Sequence, residues 1–364
     1  MKIVIGADLV PTERTEALFI EGRGEALFGA AMNIIRGADR FIVNLECALT
    51  ECDEPIRKFG PNIKASPLCA EGLRKIGVTD VMLSNNHVFD FGERGLLDTL
   101  NALDGAGIPY TGVGMNDTDS RRPYFIEGEG KRIAFINVCE HEYSYALPHA
   151  MGANPFDPFL TMHDIREAKR EADFVIVIYH GGKEYCRYPS ERLYRACHEM
   201  VECGADLVLC QHSHCIGCYE EYLGSHILYG QGNLNFLWDN SDEGWYSSLL
   251  TELEITDKIN IKFYPLVMLD SGVDVARGGR AAEIMSAFGE RCEELKNGKW
   301  LEGFRRFALS EKLGYYKKAL EGPFAEGATE RDAQLFSHYL DCEAHTDVWR
   351  ERFPTWQRTD REKK

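Results

Sequence analysis

The sequence predicts an α/β fold, with a domain over residues 1–270 and a helical extension over 271–364. Three observations lead there. Short apolar runs alternate with amphipathic helical patterns through the first 270 residues, the mark of strand–helix alternation. Beyond Leu269 β-branched residues become scarce and the spacing turns helical. Between the two regions, Asp270-Ser271-Gly272 and Gly278-Gly279 supply linker residues.

In chain order, strands are expected at 3–5, 41–45, 80–83, 132–138, 174–179, 206–210 and 226–229, each a short apolar run bounded by turn residues. Runs 248–255 and 259–269 read as a closing antiparallel pair around Asp257-Lys258. A helix is expected over 67–76, capped by Ser66 with Pro67 at its first position. A second, over 93–106, puts Leu96, Leu97, Leu100 and Leu103 on one face and stops near Gly105 and Gly107. A third, over 189–203, ends at Gly204. In the extension, 281–296, 300–320 and 329–345 are helical by spacing. They are expected to pack on the first domain or to cover a partner surface, and to supply no metal ligand. The charged run 358–364 is expected to fray.

Composition narrows the function. Hydrophobic residues are 44% and charged residues 27% of 364, which excludes a disordered chain, a collagen-like fibre and a small disulfide scaffold. The formal net charge of −17 disfavours nucleic acid, since the chain has no general attraction for phosphate backbones. No run approaches the roughly 18 apolar residues that span a bilayer. The opening stretch Ile3, Val4, Ile5 falls short of a secretory h-region. A cytoplasmic protein without a membrane anchor is therefore expected, its 12 cysteines reduced.

Chemistry gathers where the apolar runs end. The first ends at Asp8, the second at Asn44-Leu45-Glu46, the third at Ser84-Asn85-Asn86-His87, another at His180 and another at Gln211-His212-Ser213-His214. In open α/β sheets, binding groups collect beyond the carboxyl ends of strands. Carboxylate and amide oxygens with imidazole nitrogens suit divalent Zn, Mn or Fe; calcium would take oxygen almost alone. A carboxylate shared by two ions is the hallmark of two-metal hydrolase sites.

These motifs, in this order, resemble the CapA (poly-γ-glutamate capsule synthesis) family: Asp8, Asn44-Leu45-Glu46, Asn85-Asn86-His87 with Asp90 and Gly92, His180 with Glu184-Tyr185, and His212-x-His214. Segment 84–99, SNNHVFDFGERGLLDT, carries the most specific likeness, and 230–236, GQGNLNF, resembles a later Gly-Asn-Phe segment. The resemblance covers residues 1–270 and implies a calcineurin-like metallophosphoesterase architecture, two facing sheets flanked by helices. It implies two divalent metals bridged by Glu46. Asn86, His180 and His212 complete one site, and Asp8 and His214 the other. Asn86, His87 and Glu184 form the implied catalytic set, with His87 as acid or oxyanion partner and Glu184 orienting a ligand.

Departures stand beside the likeness. The usual His two positions after the first Asp is Val10, the bridging residue is Glu rather than Asp, and a His-Trp-Gly motif reads His180-Gly181-Gly182. The implied function is metal-dependent hydrolysis or transfer in capsule or exopolymer metabolism, on an anionic small molecule or polymer such as a γ-glutamyl chain. Two alternatives are a phosphoesterase acting on a nucleotide or phosphorylated sugar, and a non-catalytic metal-binding subunit assisting polymer synthesis or export. Cys215 and Cys218 read as incidental thiols, and Arg57, Lys58 and Lys64 as a solvated charged face. His141, His149, His163, His198, His226, His338 and His345 show no pattern and receive no role.

Overall fold

Ile3 and Ile5 leave the first strand on one face and Val4 on the other, and all three are buried. That two-sided burial is why the strands read as continuous apolar runs. The computed structural model describes residues 1–310 and 313–353. The run 358–364 lies outside the described residues.

One sheet begins with β1 (Lys2–Val10), β2 (Arg40–Leu45), β3 (Asp80–Met82) and β4 (Tyr110–Thr111), all parallel. The chain then builds a second sheet from β5 (Tyr124–Gly128), β6 (Lys131–Cys139), β7 (Phe174–His180), β8 (Leu207–Gln211), β9 (Tyr219–Tyr222) and β10 (Ser225–Leu228). Its order is β9-β10-β8-β7-β6-β5, parallel in the middle and antiparallel at both edges. The chain returns to the first sheet with β11 (Asn233–Phe236), β12 (Ser247–Ile255), β13 (Ile259–Met268) and β14 (Val273–Val275). β11 pairs with the end of β1, and β12 and β13 form the expected antiparallel pair.

The two sheets face each other across Ile3, Ile5, Ile42 and Met82 on one side and Phe135, Ile176, Ile178 and Leu209 on the other. Outside the first sheet, Val4, Phe41, Val43 and Val81 pack on helices α1 (Cys69–Ile76) and α2 (Gly92–Ala106) through Leu73, Leu96 and Leu103. Outside the second, Ile136, Val175, Val177 and Val208 pack on α3 (Pro158–Glu171) and α4 (Glu191–Glu202) through Met162, Ile165, Leu193 and Met200. This is a two-sheet sandwich flanked by helices, the architecture the family resemblance implied.

Several local expectations are corrected. α1 begins at Cys69, and Ser66-Pro67 belong to the preceding turn, in which the Cys69 amide donates to the Ser66 carbonyl. α3 was not expected from the sequence, although Asp157 caps it through the amides of Phe159 and Leu160, with Pro158 following. In the extension, α5 (Gly278–Lys296) is followed by α6 (Trp300–Ala308) and α7 (Tyr315–Glu321) where one helix was expected. α8 (Glu330–Asp341) and α9 (Glu343–Arg352) likewise replace one, divided by extended backbone at Cys342. These helices bury Phe304, Tyr316, Leu335, Tyr339 and Val348 against Cys186, with Phe59 and Tyr188 at the margin. Among the described residues no helix is long and apolar enough to cross a membrane.

Candidate metal centre

Asp8 sits in β1, level with Asn44 of β2 and Asn233 of β11. Glu46 follows β2, and Asn85, Asn86 and His87 follow β3. His180 ends β7, and His212 and His214 follow β8. Strands of both sheets therefore deliver the expected residues to one edge of the sandwich. Backbone turns aim them. His212 and His214 have φ of 81° and 52°, a left-handed conformation unusual for side-chain-bearing residues and concentrated at functional sites.

The side chains converge on Glu46. His180 Nε2 lies 3.3 Å and His214 Nε2 3.8 Å from its Oε1. His180 Nε2 is also 2.9 Å from Asn86 Oδ1, and His180 Nδ1 is 3.7 Å from Asp8 Oδ1. Two groupings offer ligand atoms within 4.8 Å of one another: Asp8, Glu46 and His180, and Glu46, His212 and His214. They share Glu46, but they place His180 with Asp8 and His212 with His214, a different partition from the implied one. Val10 is buried against the core and pairs with Phe236, so it contributes no ligand.

Both Glu46 oxygens are buried and make no hydrogen bond among the described residues, as is true of His212 Nδ1. Buried polar atoms are normally partnered, and a carboxylate left bare is costly. Divalent cations would satisfy such atoms, so the residues present fit bound metal. Burial, then the Asp8 charge, push the Glu46 carboxyl well above its usual range. Burial alone would raise Asp8, but the His214 hydrogen bond and the His180 charge overcome it and hold Asp8 at about 2. Burial lowers His180 to about 4 and His212 to about 3, keeping both rings in the neutral form that ligates metals. Burial opposes charge on His214 as well, yet Glu46 and Asp8 raise it to about 10.

A surrounding layer fixes these groups. Asn44 Nδ2 donates to Asp8 Oδ1 at 2.7 Å, and Asn85 Nδ2 to Asn44 Oδ1 at 3.1 Å. Asn233 Oδ1 is 2.8 Å from His214 Nδ1, which orients that ring. The His212 amide donates to Asp8 Oδ2 at 3.0 Å, and His212 Nε2 lies 3.3 Å from Glu142 Oε2. His87 Nδ1 is 2.7 Å from Asp90 Oδ2 and 3.2 Å from Lys58 Nζ. Lys58 also pairs directly with Asp90, and its side chain is 2% exposed. It is thus part of the site rather than of a solvated face, whereas Arg57 and Lys64 remain near the surface, paired with Glu330 and Asp53.

A cavity of about 940 Å³ opens beside Asn86, His87, Glu184 and His214. Glu184 lies on its wall, 3.6 Å from Lys183. Trp238, Trp245, Tyr185 and Tyr143 add aromatic surface, and Tyr315, Lys318, Arg331, His338 and His345 arrive from the C-terminal helices. Glu142, His338 and His345 were unassigned in the sequence; the structure brings them together within reach of His212. Cys215 and Cys218 are buried free thiols.

Residues 3–237 match the family described as bacterial capsule synthesis protein PGA_cap. The chain is 28% identical over 190 residues to the capsule biosynthesis protein CapA of Bacillus anthracis, covering 50% of this chain and 45% of that protein. It is 27% identical over 248 residues to the PGA biosynthesis protein CapA of Bacillus subtilis (strain 168), covering 65% of this chain and 62% of the relative. The matches thus span between about half and under two thirds of these relatives' lengths. A crystal structure of a hypothetical protein from Thermus thermophilus superposes with a TM-score of 0.50 at 16% identity, over 74% of this chain and 100% of that one, a likeness of fold alone. The family match takes in β1 through β11 and every strand end that carries Asp8, Glu46, Asn86, His180, His212 and His214, and the chain belongs to the bacterial capsule synthesis protein family.

Proposed function

We propose that this protein is a metal-dependent hydrolase or transferase acting on an anionic substrate in capsule or poly-γ-glutamate synthesis or turnover. The observation that carries the reading is Glu46: a carboxylate whose buried oxygens accept no hydrogen bond among the described residues, at the meeting point of Asp8, His180, His212 and His214. Asp8, Glu46, Asn86, His180, His212 and His214 would hold two divalent ions of the Mn, Zn or Fe type. Bound metal would supply Lewis-acid polarisation of the scissile group and water of lowered pKa.

The chain's own residues do the rest. Asp90 accepts from His87 Nδ1 and fixes the ring, which leaves Nε2 to move a proton to or from the reacting group. Lys58 and Lys183 are paired with Asp90 and Glu184, so Lys318 and Arg331, on the same cavity wall, would supply the positive charge that offsets locally the chain's net charge of −17 toward an anion. Asn86 and Glu184 line the same wall and would orient substrate and ligand. The names of the CapA relatives, capsule and PGA biosynthesis, support the substrate class.

The aromatic wall of Tyr185, Trp238 and Trp245 favours a second reading, a phosphoesterase whose substrate carries a base or sugar ring. Turnover of γ-glutamyl oligomers, nucleotides and sugar phosphates by the Mn²⁺-loaded protein, each against the His87→Ala variant, separates the two. Hydrolysis of γ-glutamyl oligomers supports the first reading. Hydrolysis of phosphate esters alone supports the second. Full metal loading with no turnover of any class would leave a non-catalytic metal-binding subunit.

A further inference from the structure

Glu142, His338 and His345 bring three ligand atoms within 4.8 Å of one another, at a place separate from Glu46. Glu142 lies three residues beyond the end of β6, His338 on α8 and His345 on α9. The extended backbone at Cys342 breaks the two helices apart, so rings seven residues apart in sequence face one carboxylate. His338 Nε2 is 3.1 Å from Glu142 Oε1, and the two imidazole centroids are 4.6 Å apart. The other Glu142 oxygen faces His212. His345 Nδ1 is hydrogen-bonded to the Tyr316 hydroxyl, and its Nε2 makes no hydrogen bond among the described residues.

This cluster holds more ligand capacity than its hydrogen bonds use. Two imidazoles and a carboxylate, all lining the cavity, form the donor set of an open zinc-type site: three protein ligands and room for water or a substrate atom. Tyr316 supplies the outer hydrogen bond that fixes the tautomer of a ligating histidine. Lys183, on the same cavity wall, has its charge offset by Glu184 at 3.6 Å.

We propose that Glu142, His338 and His345 bind a further divalent cation of the zinc type, linked to the Glu46 centre by the contact between Glu142 and His212. The site would make the C-terminal helices a part of the metal-binding apparatus, since they supply two of its three ligands.

The test is Co²⁺ titration of the metal-stripped full chain, followed by visible absorption and by elemental analysis after gel filtration. Wild type should bind one more ion than His338→Gln or His345→Gln, with far-ultraviolet circular dichroism unchanged. Tyr316→Phe should keep the stoichiometry and weaken one ion by about tenfold. Glu46→Gln should retain this ion. Equal stoichiometry in wild type and both histidine variants, with ions still bound at Glu46, overturns the proposal and leaves the Glu46 reading standing. Loss of the Glu46 ions alone does the reverse. If the histidine variants fail to fold, unchanged affinity for every ion in Tyr316→Phe overturns the proposal.

Discussion

Glu46 and His214 hold the proton that would compete with a cation at the centre. Glu46 is pushed above the usual carboxylate range by burial and Asp8, and His214 is raised to about 10 against its own burial by Glu46 and Asp8. The charged form of Glu46 is what raises His214, so the two groups titrate as a pair, and the proton the pair holds would compete with metal. Metal affinity should therefore fall as pH falls, by about tenfold per unit between pH 8 and 6 for each proton displaced. Chelator competition at several pH values measures the slope; a flat profile would contradict the ligand assignment. His87 touches neither metal grouping directly and is held by Asp90. His87→Ala should lower turnover by about 10² to 10⁴ while metal content stays at the wild-type level, which kinetics and elemental analysis on one preparation would check. Of these residues, Asp8, Glu46, Asn86, His180, His212 and His214 were legible because each stands where an apolar run stops. Glu142 was not singled out, yet the same rule applied to run 132–138 leads to Glu140-His141-Glu142. His338 and His345 had no such signal: they sit on helices, and only the tertiary fold places them beside Glu142. Gly181, which departs from the resemblance, has a physical reason as well, because a Cβ there would come within 2.7 Å of the Glu140 side chain.

Glu140 shows how elements are tied together. It follows β6 and accepts from Arg192 Nη2 at 2.5 Å, from the Tyr179 hydroxyl at 3.1 Å and from the Ala344 amide of α9 at 3.2 Å. Arg192, on α4, also donates to Asp347 of α9 at 2.9 Å, and Ser190 donates to the same carboxylate at 2.6 Å. β6, α4 and α9 therefore share one buried network. Arg192→Met would leave Glu140 and Asp347 without their shared cation. It should destabilise the protein by about 3–5 kcal/mol, the usual cost of removing one partner from a buried ion pair. Denaturant unfolding would detect this; a loss under about 1 kcal/mol, the range of an exposed pair, would show that the network does not hold the helices. Strands were legible at this scale because burial on both faces writes a continuous apolar run. β11 was not, because buried Asn233 and Asn235 interrupt its pattern, one held by His214 and the other by the Leu27 carbonyl. α3 escaped because only Thr161, Met162, Ile165 and Ala168 are buried along its 14 residues, too narrow a stripe to stand out, although its Asp-Pro cap was present in the sequence.

Across the molecule, a −17 chain concentrates basic and candidate metal-ligating groups at one edge of a two-sheet sandwich, beneath helices that follow the second sheet by more than 50 residues. Lys58 comes from the loop after β2, Lys183 from beyond β7, and Lys318 and Arg331 from the C-terminal helices, so the cavity is completed by parts far apart in sequence. That assembly was legible only in part. The strand-end pattern predicted the edge, but not the reach of α8 and α9 into the cavity, which depends on the break at Cys342 and on packing around Tyr316 and Tyr339. In the proposed centre, Glu46 would bridge two metal ions between Asp8, Asn86, His180, His212 and His214. Anomalous diffraction at the manganese or zinc edge, on crystals of the metal-loaded full chain, tests it most directly. Two peaks flanking the Glu46 carboxylate, roughly 3.5–4 Å apart, are predicted. Density without an anomalous peak at Glu46, in crystals grown with saturating metal, would contradict the claim.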